Sequence, residues 1–275
     1  MRPKNILLFC IMCCLSVTLH AQKQTLFVDD FTSDVKVPES VLTNIRSAVI
    51  DGITNTNRVN LVDAHAIIPA LEYSPMENAL RYRAQYLLQG KLLNREATDD
   101  GISGPKFHSR ENSYKEKFVI RLQLIRTSDG TTIFTRNYEE TGSSSGKEAS
   151  QYYALERALV NVPYAMRNLI EHNFKVHGSI VELVSDNNKK AKSVYINLGY
   201  DDPIKEGQRF DVMVQTSFAE NYMEHKIGEV RIKEIVGPKY SLCKVMSKGG
   251  EHILKAFEMG AKLHIVSRQS RLFDE

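Results

Sequence analysis

The sequence predicts a mixed α+β (α/β) fold in which an N-terminal mixed sheet flanked by helices is followed by a small all-β barrel. Strand and helix patterns alternate from Gln24 to Asn173, which is typical of helices packed on one sheet. After Phe174 the helical spacing stops and short strand patterns follow one another. The 275 residues are 42% hydrophobic and 25% charged, so the chain can form two cores without disulfides.

The first part opens with a strand and a helix. Residues 25–31 (Thr-Leu-Phe-Val-Asp-Asp-Phe) predict the strand, and Pro38 begins a helix whose apolar residues recur at helical spacing. A cluster of turn-forming residues at 55–57 ends this helix. The elements that follow are a strand at 58–62, two short helices within 64–83 broken at Pro69 and Pro75, and a strand at 85–94.

A hairpin and a long helix complete the first part. Strands are predicted at 117–126 and 131–141, and the Asp-Gly pair at 129–130 is expected to supply the positive backbone angles of a tight turn. A helix is predicted from about Lys147 to Asn173. We expect Pro163 to kink it, because proline lacks the amide donor that a helix interior requires.

The second part consists of strands separated by turns that contain glycine. We place the domain boundary near Asn173 and expect the helix to run nearly straight into the first barrel strand, because no linker-like segment intervenes. The predicted domains are residues 22–173 and 174–270, after a leader at residues 1–21. The predicted barrel strands are at 176–184, 192–198, 209–215, 226–236, 241–246 and 262–266.

The leader has the layout of a secretory signal peptide. Arg2 and Lys4 precede an apolar run at residues 6–17, and the small residue Ala21 ends the segment. The run is shorter than the roughly 20 apolar residues that span a bilayer. The sequence therefore predicts an exported protein of the periplasm.

The positions of the four cysteines bear on lipidation of the leader and on disulfide formation. Cys10, Cys13 and Cys14 lie in the leader, but each follows a bulky or thiol-bearing residue where lipoprotein signals usually have a small one, so lipidation stays open. If the leader is cleaved after Ala21, Cys243 is the only thiol left, which excludes an intrachain disulfide. Its position in an apolar strand pattern predicts a buried side chain that packs like a small hydrophobic residue.

Sequence motifs for nucleotide, metal and elbow-type serine hydrolase chemistry are absent. The sequence has no phosphate-binding glycine loop, no dinucleotide fingerprint and no Gly-x-Ser-x-Gly elbow. The pair His172 and His177 lacks two further zinc ligands nearby, and residues 99–101 lack the ligand pattern of a calcium loop. The net charge of +3 falls to +1 without Arg2 and Lys4, which gives no reason to expect nucleic acid. We therefore predict no catalytic residue, no cofactor and no metal.

Several short sequence segments of the first part resemble one known family in the order in which they follow one another along the chain. Residues 25–31, 58–63 and 84–91, together with the hairpin at 119–141, look like the curli assembly transport family. They are also similar to activators of penicillin-binding proteins and to the middle part of flagellar assembly protein T. The resemblance covers about residues 24–172.

The second part is similar to the C-terminal domain of flagellar assembly protein T, which is a small β-barrel. The similar segments are Gly178-Ser-Ile-Val-Glu182, Val194-Tyr-Ile-Asn-Leu-Gly199, residues 204–212 and Ile227-Gly-Glu-Val230. The two resemblances imply a cell-envelope protein that binds other proteins and has no catalytic residues to carry over. They also allow for a homo-oligomer and for peripheral association with the outer membrane.

The leading functional hypothesis is a non-enzymatic, exported envelope protein that binds protein partners during assembly of a surface or envelope structure. Residues 94–117 read as a polar loop, and long loops often carry binding sites. The candidate partner-binding residues are Phe107 and Tyr114 in this loop, and Tyr152 and Tyr153 on the following helix. These last two tyrosines could equally face the sheet.

Two alternatives belong to other functional classes. One is a ring-forming subunit of an outer-membrane secretion channel that resembles the curli channel, although residues 94–117 lack the apolar and polar alternation of a membrane-spanning hairpin. The other is an envelope hydrolase that uses Asp29, Asp30 or Glu72 as general acid and base. Asp29 and Asp30 end the first strand, where an acid either faces a ligand crevice or caps the next element.

Overall fold

The computed structural model describes residues 23–67, 73–99, 112–146, 148–186, 189–218, 221–246 and 249–269. The predicted signal peptide, Glu72 and the candidate residue Phe107 lie outside the described residues. Within these residues the fold class is the predicted one, a mixed sheet with helices followed by a closed six-stranded barrel. No helix in the described part of the chain is long and apolar enough to cross a membrane.

The mixed sheet has the strand order β3-β1-β4-β5-β6, and the short strand β2 also pairs with β4. β1 runs parallel to β3 and β4, whereas β4, β5 and β6 form an antiparallel meander. The elements are β1 (Gln24–Val28), β2 (Thr32–Ser33), α1 (Glu39–Thr54), β3 (Val59–Asp63), a 3₁₀ turn (Ala64–Ala66), α2 (Pro75–Arg81), β4 (Tyr86–Asp99), β5 (Asn112–Arg126), β6 (Thr132–Gly146), α3 (Gln151–Leu159) and α4 (Val162–Asn173).

The main core lies between one face of this sheet and the helices α1, α3 and α4. Helix α1 buries the apolar stripe that its sequence predicts, including Ile45, Val49 and Ile53, which have no solvent exposure. α1 and α4 cross at Gly52, where an added β-carbon would lie 2.4 Å from the carbonyl oxygen of Pro163. A smaller cluster around Phe27 and α2 covers part of the opposite face.

The barrel has the closed order β10-β11-β8-β7-β12-β9, with antiparallel neighbours throughout. Each predicted strand of the second part corresponds to one barrel strand. Cys243 is fully buried, which confirms the prediction for this residue, and burial raises the pKa of its thiol to about 12. The elements are β7 (His177–Asp186), β8 (Lys190–Ile196), β9 (Arg209–Phe218), β10 (Asn221–Ile235), β11 (Ser241–Val245), α5 (Gly250–Glu258) and β12 (Leu263–Ser267).

The expectation that the second part lacks a helix is wrong. The nine-residue helix α5 packs on β8, β10 and β12 and buries Ile253 and Leu254. Gly228 makes room for this packing, because a β-carbon there would lie 2.7 Å from the side chain of Ile253. Two glycines, Gly249 and Gly250, stand at the start of the helix and give the sequence the appearance of a loop.

The predicted polar loop at 94–117 is wrong at both ends. β4 continues to Asp99 and β5 begins at Asn112, so these ends are paired strands. β6 also extends beyond its predicted end, to Gly146, opposite Asn112. The side chains in these extensions are mostly polar, which hides the strand pattern from a reading based on apolar alternation.

Two further local predictions differ from the structure. The predicted long helix is divided into α3 and α4, and Pro163 lies in the first turn of α4, where its missing amide donor costs no hydrogen bond. In the hairpin turn only Gly130 has a positive φ, of 69°. Asp129 instead accepts a hydrogen bond from the amide of Thr131 through its side chain.

Candidate functional site

The candidate site is the outer end of the antiparallel meander together with the start of α3. We define the distal ribbon as residues 94–99, 112–117 and 141–146 of β4, β5 and β6. Among the described strands, β6 pairs only with β5, so its other edge faces no strand. The distal ribbon therefore presents an open strand edge beside a helix.

The candidate tyrosines of α3 point to solvent. Tyr152 is 57% exposed and Tyr153 is 46% exposed, so the alternative that both face the sheet is wrong. Their ring centroids are 5.7 Å apart in an edge-to-face arrangement. A hydrogen bond with Glu156 raises the pKa of the Tyr152 hydroxyl above its ordinary value. The pair forms an exposed aromatic patch with an acidic neighbour.

Tyr114 lies at the same end of the molecule and is half-buried in β5. It is paired with Ser144 of β6, and the Ser144 hydroxyl accepts a hydrogen bond from the amide of Ser150 at 3.4 Å. Ser150 in turn caps α3, because its hydroxyl accepts from the amide of Tyr153 at 3.2 Å. These contacts bring three of the four predicted site residues to one surface.

A buried ion pair within the distal ribbon also anchors α3. Glu116 has no solvent exposure, and its carboxylate accepts hydrogen bonds from Arg95 at 2.5 and 3.1 Å. The side-chain amide of Gln151 donates to the same carboxylate at 2.5 Å and to the carbonyl of Lys115 at 3.1 Å. Each donor thus comes from a different element, which fixes the first turn of α3 on the ribbon.

Sequence reasoning missed Glu116, Arg95 and Gln151. The polar composition around Glu116 favours a loop, although the alternation of Tyr114, Glu116 and Phe118 places all three on one face of a strand. The apolar part of β5 alternates every two residues between buried and more exposed positions. Continuing this alternation outward to Glu116 would have indicated a buried carboxylate.

α3 lies directly on the backbone of β6. A β-carbon at Gly142 would lie 2.2 Å from the carbonyl oxygen of Ala154 and 2.3 Å from the amide nitrogen of Ala158. Arg157 of the same helix donates to the carbonyl of Ser143 at 2.7 Å. A groove of about 430 Å³ follows this contact between the end of β6 and the side chains of Tyr153 and Arg157.

A second cluster of charges lies at the carboxyl end of β1. Arg46 is buried and donates to the backbone carbonyls of Val28 and Asp29 at 3.4 and 3.3 Å, and also to the carboxylate of Asp63. Burial would raise the pKa of Asp63, but the hydrogen bond and charge of Arg46 outweigh it, so the pKa is lowered. Arg46 therefore fastens α1 to the ends of β1 and β3.

The two acids of the hydrolase alternative have different neighbours. Asp29 accepts a hydrogen bond from Gln89 at 3.3 Å, and burial raises its pKa against the effect of that bond. Asp30 lies 3.3 Å from the Nδ1 atom of His65, beside a cleft of about 310 Å³. Asp29 is therefore the more buried of the two acids, and Asp30 is exposed. In the described part of the chain no cluster of three or more His, Cys, Asp or Glu side chains is arranged to hold a metal ion.

No protein-family model matches the sequence, and no curated protein matches it. Three of the solved structures with similarity to this chain have identities of 7 to 14% and TM-scores of 0.30 to 0.36. At these values the similarities indicate nothing about what this chain binds, and the resemblances to curli transport and flagellar assembly proteins stay predictions. The three are the LpoB C-terminal domain from Escherichia coli (12% identity, TM-score 0.30, covering 47% of this chain and 91% of that chain), the PelC dodecamer from Paraburkholderia phytofirmans (14%, 0.31, 51% and 86%) and the lipoprotein GNA1162 from Neisseria meningitidis (7%, 0.36, 53% and 99%).

Proposed function

We propose that this chain is a non-enzymatic, exported envelope protein that binds a protein partner through the distal ribbon and α3. Residues 1–21 would be removed on export, and residues 22–173 and 174–270 would form its two domains. The observation that carries the proposal is an open strand edge directly beside an exposed pair of tyrosines. The partner would add a strand to the edge and cover the aromatic patch.

The outer end of β6 is suited to strand addition. Natural proteins protect exposed edges with charged residues, proline or bulges. Residues 141–146 read Thr-Gly-Ser-Ser-Ser-Gly, with no charged residue and no proline. Of these residues, Thr141, Ser143 and Ser145 are exposed, whereas Gly142 and Ser144 are buried beside α3. The inner half of β6 differs, since it carries Arg136, Glu139 and Glu140.

The exposed tyrosines supply the side-chain part of such an interface. Tyrosine is enriched at the centres of protein interfaces, because it adds a large contact area at a low cost in conformational entropy. Tyr152 and Tyr153 are held in place by the Ser150 cap and by the contact of Gln151 with the ribbon. A partner would therefore meet a preorganised surface.

Site-specific photocrosslinking tests this proposal. With a photoreactive phenylalanine at Tyr152, irradiation of the envelope fraction is expected to yield a discrete adduct with one protein, identified by mass spectrometry. The matched control is Tyr240, which is 52% exposed on the barrel and is expected to give no such adduct. Identical adduct patterns at the two positions, or an adduct between two copies of this chain alone, would overturn the proposal.

A further inference from the structure

Arg58 lies at the junction of the mixed sheet and the barrel, directly before β3. It is only 6% exposed, and its side-chain hydrogen bonds to described residues are all donated by one nitrogen atom, Nη1. Nη1 donates to the carbonyl of Phe174 and to the hydroxyl of Ser267 at 2.9 Å, and to the carbonyl of Glu171 at 3.4 Å. These contacts join the end of α4 to the end of β12 and hold the guanidinium in a fixed position.

The charge of Arg58 is incompletely compensated. Its Nε and Nη2 atoms have no hydrogen-bond acceptor among the described residues. Arg58 also lines an open cleft. Burial lowers the pKa of the Arg58 guanidinium, while the nearby carboxylate of Glu171 opposes this effect. Glu171 also lies 3.7 Å from Nε of Arg167. A buried arginine usually has an ion-pair partner, because an uncompensated buried charge is costly.

Further basic groups surround the same cleft. The cleft has a volume of about 380 Å³ and is lined by Arg58, Lys23, Lys175 and His177, with no acidic residue among the described residues of its wall. Burial lowers the pKa of Lys175 and the charge of Arg58 lowers it further, while the carboxylates of Glu171 and Asp211 oppose both effects without reversing the shift. Repulsion between neighbouring cations is relieved when an anion binds between them.

We propose that this cleft binds a small organic anion whose carboxylate or phosphate group is held by Arg58, Lys175 and Lys23. Nε and Nη2 of a guanidinium form a parallel fork that matches two oxygens of either group. The rings of Tyr86 and Phe174, with centroids 5.1 Å apart, form an apolar wall for the rest of the molecule. The cleft volume lies within the usual range for small-molecule sites. This site is separate from the distal ribbon and does not depend on the protein-binding proposal.

Calorimetric titration of the protein from Gln22 onward tests the anion site. The probes are citrate and inorganic phosphate, with sodium chloride at equal ionic strength as the reference. We expect saturable binding of at least one probe, and a shift of the Arg58 side-chain Nε–H resonance in NMR spectra. Lys175→Glu is expected to weaken this binding about tenfold or more, because it places a carboxylate within reach of Arg58.

The matched control is Lys233→Glu in a second lysine-lined groove, which lies on the barrel beside Lys190, Lys192 and Lys244. This variant makes the same change in net charge and is expected to leave the affinity within about twofold. Lys175→Gln removes the charge without reversing it and is expected to weaken binding less than Lys175→Glu does. Circular dichroism of all three variants checks that they are folded. No saturable binding, or equal weakening in the Lys175 and Lys233 glutamate variants, would overturn the proposal.

Discussion

Replacing Glu116 by alanine is expected to lower the free energy of unfolding by about 3 to 5 kcal/mol, as breaking a buried ion pair typically does. The loss is large because Arg95 has only 16% of its side chain exposed and would keep its charge without its carboxylate. Gln151 would lose the bond that fastens the first turn of α3 to the ribbon. Urea unfolding of the full chain measures the change.

The neighbouring strand offers a matched control for this substitution. Glu139 of β6 pairs with Lys117 at 2.8 Å, and these side chains are 59% and 38% exposed. Glu139→Ala is expected to change stability by about 0 to 1 kcal/mol, because surface ion pairs contribute little. Similar losses in the Glu116 and Glu139 variants would mean that burial does not set the strength of the Arg95 pair.

The order of elements could be predicted because it depends on local periodicity. Helical spacing of apolar residues identified α1, and its predicted positions Ile45, Val49 and Ile53 are buried. Strand patterns after Phe174 likewise identified all six barrel strands. Hydrophobic periodicity and turn-forming residues depend on only a few neighbouring positions, so they can be identified from a single sequence.

The site depends instead on contacts between distant residues. Arg95 and Glu116 are 21 positions apart, and Gln151 is a further 35 positions from Glu116. Arg58 reaches Ser267 across 209 positions. Charged residues are usually exposed, so neither Glu116 nor Arg58 carries a local sign that it is buried. Only the complete tertiary structure determines which charged side chains are buried.

The second large effect is expected at the crossing of α1 and α4. Gly52→Ala should lower the free energy of unfolding by about 2 to 3 kcal/mol, because overpacking typically costs about 1 to 3 kcal/mol and here the obstacle is backbone. The new β-carbon would lie 2.4 Å from the carbonyl oxygen of Pro163 and 2.7 Å from the β-carbon of Met166. Urea unfolding followed by circular dichroism measures the loss.

Helix propensity acts in the opposite direction, which makes the sign of this result informative. Alanine is favoured over glycine in a helix by about 1 kcal/mol, so a loosely packed crossing would show stabilisation. Asp51→Ala, at the exposed neighbouring position of α1, adds a helix-favouring alanine away from the crossing and is expected to be neutral or stabilising by up to about 0.7 kcal/mol. A stabilised Gly52 variant would contradict the close crossing. It would also remove the reason for the fixed position of α4, whose last turn supplies the carbonyl groups that hold Arg58.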